Sequence, residues 1–347
     1  MLKIKRNFTD NTLIENCVNN SSEGMVYHLP GYARFLSSAV GGEERILSVW
    51  NDSDLLGFMR YYRKYHPQYG TVYNSSPWFG SHGGCVIADG AGEEIRDILI
   101  KSFAEDMQQE QELLFASISL SPSEYWHQEI YFANLQDCTL EPRTAQILEL
   151  PQQSDNVEEQ VFSIMQSKTR NLVRKSLKQG FTRRIANDEK AWSFLLSTHK
   201  ENMRAIGGTP KSEQHFKALR NELSNSSQLS LALSDGEPVA ALLLLKHKGW
   251  VEYFIPVIKH EFRPRQPMSF LIFHALCESV REGKNKWNFG GTHAKQKSLH
   301  HFKAGWGALS HPYGYIISAT SKGKDVLRSN ESIFEAFKGY YLFPVRQ

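Results

Sequence analysis

Apolar and polar positions alternate along this chain in two stretches that share one plan. Arg45-Ile46-Leu47-Ser48-Val49-Trp50, a polar turn at Asn51-Asp52-Ser53-Asp54 and a longer run from Leu55 to Tyr62 predict a β-hairpin. Leu229 to Leu233, a turn at Ser234-Asp235-Gly236-Glu237 and a longer run from Pro238 to Leu245 predict a second. Each hairpin is followed by another strand, at Thr71-Val72-Tyr73 and at Trp250 to Ile255, and then by a loop, a helix and a closing strand. The first helix runs from Glu93 to about Gln108 and places Ile95, Ile98, Leu99 and Phe103 on one face. The second starts at Pro267, which suits a first helical turn because its missing N–H would be unpaired there, and runs to about Glu282. The closing strands are Leu113 to Leu120 and Lys286 to Phe289.

The same order twice, without residue identity, predicts two α/β halves of similar build. A polar stretch from Pro142 to Asn156 separates them and sets the boundary near Leu150, giving domains 1–150 and 151–347. Helical patterns over 158–179, 188–204 and 212–223 precede the second hairpin. After the last strand come Gly290-Gly291-Thr292 and a polar loop that delivers Lys303 between Phe302 and Trp306. Paired glycines let a ligand or another backbone approach without a Cβ in the way. A lysine against apolar walls is poorly hydrated and needs an anionic or carbonyl partner.

With 347 residues, 41% apolar and 22% charged, the composition is that of a two-domain soluble protein rather than a disordered one. The net charge of +3 is too small to argue for nucleic acid by itself. No apolar run follows the basic residues Lys3, Lys5 and Arg6, so a secretory leader is not expected, and the run Val239 to Leu245 is too short to span a bilayer. Cys17, Cys85, Cys138 and Cys277 lie far apart, which fits buried thiols in a reducing compartment and a cytoplasmic location. His293, His300, His301 and His311 match no zinc spacing, so no metal is expected. The aromatic tail, Phe334, Phe337, Tyr340, Tyr341, Leu342 and Phe343, is expected to dock on the body of the protein.

Three segments carry a family likeness. The basic run Ser167 to Phe181, the helix from Pro267 to Gly283 followed by Trp287-Asn288-Phe289-Gly290-Gly291, and the closing stretch Leu299 to Ala308 resemble the FemAB-type acyltransferases of the GNAT-like superfamily. Together they cover much of residues 160–310. Residues 1–140 match in outline, and Asn74 to Gly84 looks more like the GNAT-type proteins of polysaccharide biosynthesis. The resemblance implies an α/β (α+β) protein of two tandem GNAT-like domains, each a mixed, mainly antiparallel sheet flanked by helices. It implies an N-acyltransferase that acylates an amino group of a nucleotide- or lipid-linked sugar or peptide precursor of the cell envelope, with acyl-CoA as donor. Aminoacyl-tRNA is the alternative donor, made less expected because no long helical hairpin insertion is seen. No glycine-rich pyrophosphate loop is found either, which leaves the donor open. A noncatalytic nucleotide-sugar binding protein is a third reading.

On that reading Lys303 matches the lysine of the family's closing motif, where an ammonium would stabilise a forming oxyanion. Glu252 is a candidate base or water-holder and Tyr253 a candidate acid for the leaving group. Arg170, Arg174 and Lys178 recur four apart on one helix face and suit a pyrophosphate or a tRNA backbone. Arg263, Arg265 and Gln266 precede the Pro267 helix, whose N-terminus favours the phosphates of a donor. In the first half His82 is a further candidate base, and Trp78, Phe79 and Ser81 beside it suit a nucleotide or sugar. Gly290, Gly291 and Thr292 complete the expected substrate contacts.

Overall fold

A computed structural model describes residues 1–77, 82–292 and 296–342. The repeated pattern becomes two compact units, each with its own run of strands. The first contains β1 (Leu2–Arg6), α1 (Asn11–Asn19), α2 (Pro30–Val40), β2 (Glu43–Asn51), β3 (Asp54–His66), β4 (Gly70–Asn74), β5 (Cys85–Ile87), α3 (Glu94–Gln109), β6 (Leu113–Ser119) and α4 (Gln128–Asn134). The β2–β3 hairpin turns where Asp52 adopts φ +50°, a conformation that Asp tolerates better than most residues. Strands β1 to β4 pair antiparallel in chain order, whereas β4 and β6 run parallel. A parallel pair needs a crossover, and α3 supplies it by burying Ile95, Leu99 and Phe103 against Leu47, Tyr61 and Ile118.

The second unit contains β7 (Cys138–Glu149), α5 (Val157–Ile164), α6 (Ser167–Leu177), β8 (Thr182–Ile185), α7 (Glu189–Ala205), α8 (Glu213–Glu222), β9 (Ser227–Ser234), β10 (Glu237–His247), β11 (Trp250–Ile258), α9 (Pro267–Arg281), β12 (Lys286–Thr292) and α10 (Lys297–Gly305). Its strand order is β7-β12-β11-β10-β9-β8, and β11 with β12 is its parallel pair. The crossover here is α9, which buries Phe270, Leu271, Phe273 and Leu276. At about 1.5–3 kcal/mol per fully buried large side chain, this helix is a main source of the unit's stability.

The pattern over 158–179 does not form one helix. It breaks into α5 and α6 at Met165 and Gln166, which are extended with ψ 151° and 152°. The cause is tertiary: the Gln166 N–H donates to Gly305 O, and a Cβ on Gly307, at φ +93°, would stand 2.3 Å from Ile164 O. The end of α10 is wedged into the break.

The chain then returns to the first unit through β13 (Leu309–Ala319), α11 (Ser321–Ser329) and α12 (Ile333–Ala336). Residues Tyr315 to Ala319 pair antiparallel with Ser119 to Phe115 of β6. The units are therefore Met1–Arg143 with Pro312–Gln347, and Thr144–His311, rather than 1–150 and 151–347. The boundary falls inside β7, an unbroken strand that the polar composition around Pro142 disguises as a linker. The aromatic tail docks on the first unit: Phe337, Tyr340 and Leu342 are buried, and the Tyr340 hydroxyl donates to Gly41 O at 2.6 Å. Phe343 lies outside the described residues. Among those residues no helix is long and apolar enough to cross a membrane.

Candidate active site

The parallel pairing of β11 with β12 is short. It covers Trp250, Val251 and Glu252 against Lys286, Trp287 and Asn288 and then stops, although both strands continue. Each strand carries an irregularity just past the last pair. On β11 the register against β10 jumps from Tyr253 to Ile255, leaving Phe254 as an extra residue. On β12 the register against β7 jumps from Asn288 to Gly291, so Phe289 and Gly290 oppose one residue. Bulges bend strands and end pairing. Two of them at the same level end the pairing, with Tyr253 and Phe254 just beyond it on one strand and Phe289 and Gly290 on the other.

A chain of buried hydrogen bonds starts where the strands separate. Asn288 Nδ2 donates to Glu252 Oε2 at 2.9 Å, and Asn288 Oδ1 accepts from the Gly290 N–H at 2.8 Å. Lys303 Nζ donates to Gly290 O, Gly291 O and Thr292 Oγ1 at 2.8, 3.0 and 2.8 Å. The Thr292 hydroxyl donates to Gln146 Oε1 at 2.9 Å, and Gln146 Nε2 donates to His300 O. Gly290 stands at φ +77°, with no described atom within 4 Å of where a Cβ would be. The bend is thus held from behind and open in front.

Lys303 does not sit on a loop. It lies on α10, is 3% exposed, and is flanked by the Phe302 and Trp306 rings, which meet at 6.4 Å. Burial pulls its ammonium down to about 8, against the three oxygen acceptors, which favour the charged form. All three of its hydrogens are spent on the protein. By these bonds Lys303 fixes the Gly290–Thr292 bend and lends it a positive charge. Asn288 and Gln146 are the members of the network that the sequence did not single out. Asn288 stands inside a conspicuous motif, whereas nothing local marks Gln146, more than a hundred residues away.

Among the cationic candidates, the structure separates free groups from engaged ones. Arg265 is engaged: Nε and Nη2 donate to Gln179 Oε1 and O at 3.1 and 2.9 Å, Nη1 donates to Ser234 Oγ, and the guanidinium lies over the Phe181 and Phe262 rings. It clamps the turn before α9 and has little left for a phosphate. Gln266, in the left-handed conformation at φ 62°, also spends its side chain locally, on Arg263 O and the Ser269 hydroxyl. Arg263 is exposed and has no side-chain partner among the described residues. Arg170 and Arg174 stand one turn apart on α6, half-buried and exposed, with no acidic partner there, although Arg174 lies over the Phe162 ring.

Tyr253 is half-buried beside Phe289 at 5.3 Å, and its hydroxyl makes no hydrogen bond among the described residues. Desolvation raises its phenol, so it stays protonated and able to donate. His82, expected as a base, is corrected. It is 3% exposed, sits edge-on to Tyr27 and Tyr313, and its Nδ1 donates to Leu120 O at 3.0 Å. Desolvation pulls it down to about 4, too weak a base for work near neutrality. Trp78, Phe79 and Ser81 lie outside the described residues, as does His293. Among those described, no three His, Cys, Asp or Glu side chains gather as metal ligands.

The acetyltransferase (GNAT) domain family matches residues 165–303, which hold α6, the opened strand pair and Lys303. No curated protein matches the chain in sequence. Among solved structures, FemX superposes with a TM-score of 0.75 at 14% identity, covering 93% of this chain and 99% of that one. A tandem GNAT protein from the clavulanic acid biosynthesis pathway does so with a TM-score of 0.55 at 9% identity, covering 92% and 98%. The C-terminal domain of a putative lysylphosphatidylglycerol synthetase from Agrobacterium fabrum gives 0.56 at 12%, covering 93% and 95%. At such identities the likeness is one of fold.

Proposed function

We propose that the chain is a GNAT-like acyltransferase of the FemAB type and that it acylates an amino group of a nucleotide- or lipid-linked sugar or peptide precursor of the cell envelope. The observation that carries the reading is the parting of β11 from β12 at Glu252 and Asn288, with the Lys303-held bend at its far side. An acyl group lying against the open face of Gly290 would meet no described side chain within 4 Å of the missing Cβ. Glu252 takes the proton from the attacking amine, directly or through a water. The amine nitrogen then bonds to the acyl carbon, and the bond from that carbon to the donor's sulfur or oxygen breaks. Tyr253 returns a proton to the leaving atom. Fixed charge beside the bend stabilises the tetrahedral intermediate without reorganising.

Acyl-CoA is the donor we favour, with Arg263 at the start of α9 as a phosphate contact. A specific observation supports the second donor, aminoacyl-tRNA: Arg170 and Arg174 form a cationic edge with no acidic partner among the described residues. The test is transfer of radiolabel to amino-sugar nucleotides and peptide acceptors from acetyl-CoA and, separately, from charged tRNA. Transfer from the thioester, reduced about 100-fold in Glu252→Gln, is expected. Transfer from charged tRNA alone would overturn the donor assignment, and transfer from neither would overturn the reading.

A further inference from the structure

The first unit contains a small polar pocket that acyl transfer at β11 and β12 does not use. On β3, Phe58, Arg60 and Tyr62 share one face because strand side chains alternate. Strand β4 pairs with β3 from Tyr62 onward and β5 pairs with it at Gly57 to Met59, so neither pairs with Arg60. Ser76, just past β4, and His82, just before β5, also line the pocket. The free interior is about 10 Å³, room for one oxygen atom or one water.

Arg60 is 6% exposed and is aimed by two contacts. Its Nε meets Glu44 Oε1 at 2.7 Å, and its Nη1 donates to the backbone oxygen of His28 at 2.8 Å. Its Nη2, with two hydrogens, is buried and has no hydrogen-bond partner among the described residues. The Ser76 hydroxyl, in a residue 3% exposed, is likewise buried without a partner among the described residues. Buried donors are nearly always satisfied, and an unpaired guanidinium nitrogen is among the costliest exceptions. Two residues on one pocket, each with an open donor, mark a place for an oxygen that is not part of the chain. The half-buried Glu44 carboxylate shares the guanidinium, so the empty site is near neutral and its affinity for an anion is modest.

We propose that this pocket is a binding site for one anionic oxygen of a carboxylate or phosphoryl group, held by Arg60 Nη2 and Ser76 Oγ. The His82 ring, pinned to Leu120 O, and the Tyr27 ring form its dry wall. Water occupies the position when the ligand is absent and is displaced by it. The site does not rest on the proposed acyl transfer.

Binding is measured on the full chain by thermal shift and calorimetry with acetate, inorganic phosphate and neutral acetamide at constant ionic strength. Saturable stabilisation by acetate or by phosphate, whichever chemistry the site takes, and none by acetamide is expected. Arg60→Met should abolish it. Ser76→Ala, which removes a hydroxyl with no partner among the described residues, should fold normally and bind about fivefold more weakly. No response to either anion, or an unchanged response in Ser76→Ala, overturns the site.

Discussion

Replacing Lys303 by Met tests the central arrangement, because it removes a buried charge together with the bonds that hold the bend. Methionine keeps the length and apolar stem but removes the ammonium that binds Gly290 O, Gly291 O and Thr292 Oγ1. Each buried oxygen left without its donor costs about 1–3 kcal/mol, although Thr292 keeps its bond to Gln146. Against this, relieving the burial of a charge that shifts the lysine from 10.5 to about 8 returns about 3 kcal/mol. The two nearly cancel, so urea denaturation should show a stability change of less than about 2 kcal/mol. Activity should not cancel. Once the bend at Gly290 is free to move by an ångström, kcat/KM for acyl transfer should fall about 100-fold. The pH dependence has a definite sign: the folded-state value lies below the unfolded one, so the wild type gains stability relative to Lys303→Met as pH rises from about 8 to 10.5. Activity within threefold of wild type in a folded Lys303→Met protein would refute the role given to this residue.

Other outcomes follow from the same contacts. The double change Arg170→Ala and Arg174→Ala should leave stability within about 0.5 kcal/mol. If the donor is a polyanion, it should also reduce the slope of log affinity against log salt by about 1.5 in a filter-binding titration. Arg265→Ala should lower stability by about 2 kcal/mol in urea melts, because it deletes bonds to Gln179 and Ser234 and the stacking on Phe181, and the donor KM should change little. His82, lowered by burial to about 4 against about 6.5 when unfolded, supplies stability that is present above pH 6.5 and lost as pH falls through 4. The stability gap between wild type and His82→Gln should therefore shrink by about 3 kcal/mol across that interval in chemical denaturation, with no inflection near pH 6.5 in the rate profile that the variant removes.

The opened strand pair also explains why the glycines of β12 matter beyond their turn. Gly290 combines a positive φ with an unobstructed face, so it serves both the bend and the approach of a ligand. Gly307 does a different job, letting the end of α10 press against Ile164 and break the helix there. Through that contact the basic helix α6, the glycine bend and the lysine of α10 become parts of one assembly within the second unit.

What the sequence determined by itself is what neighbours along the chain decide. Alternation and turn chemistry at Asn51 to Asp54 and Ser234 to Glu237 specify both hairpins, and Pro267 specifies where α9 begins, because these depend on backbone preferences a few residues long. The twofold repeat of strand, helix and strand was legible for the same reason. Tertiary structure decided the rest. The pairing of Tyr315 with Ser119 takes the C-terminal segment back to the first unit, and no local signal encodes a partner nearly two hundred residues away. It also settled which polar groups are free. Arg263 and Arg265 look alike in sequence, yet one is exposed and the other is consumed by Gln179 and Ser234. His82 loses its basicity to the burial of its loop, and Arg60 is left with an open nitrogen because two strands stop short of it. Hydrogen-bond satisfaction and desolvation depend on every group that arrives from elsewhere in the chain, and only the folded chain brings those groups together.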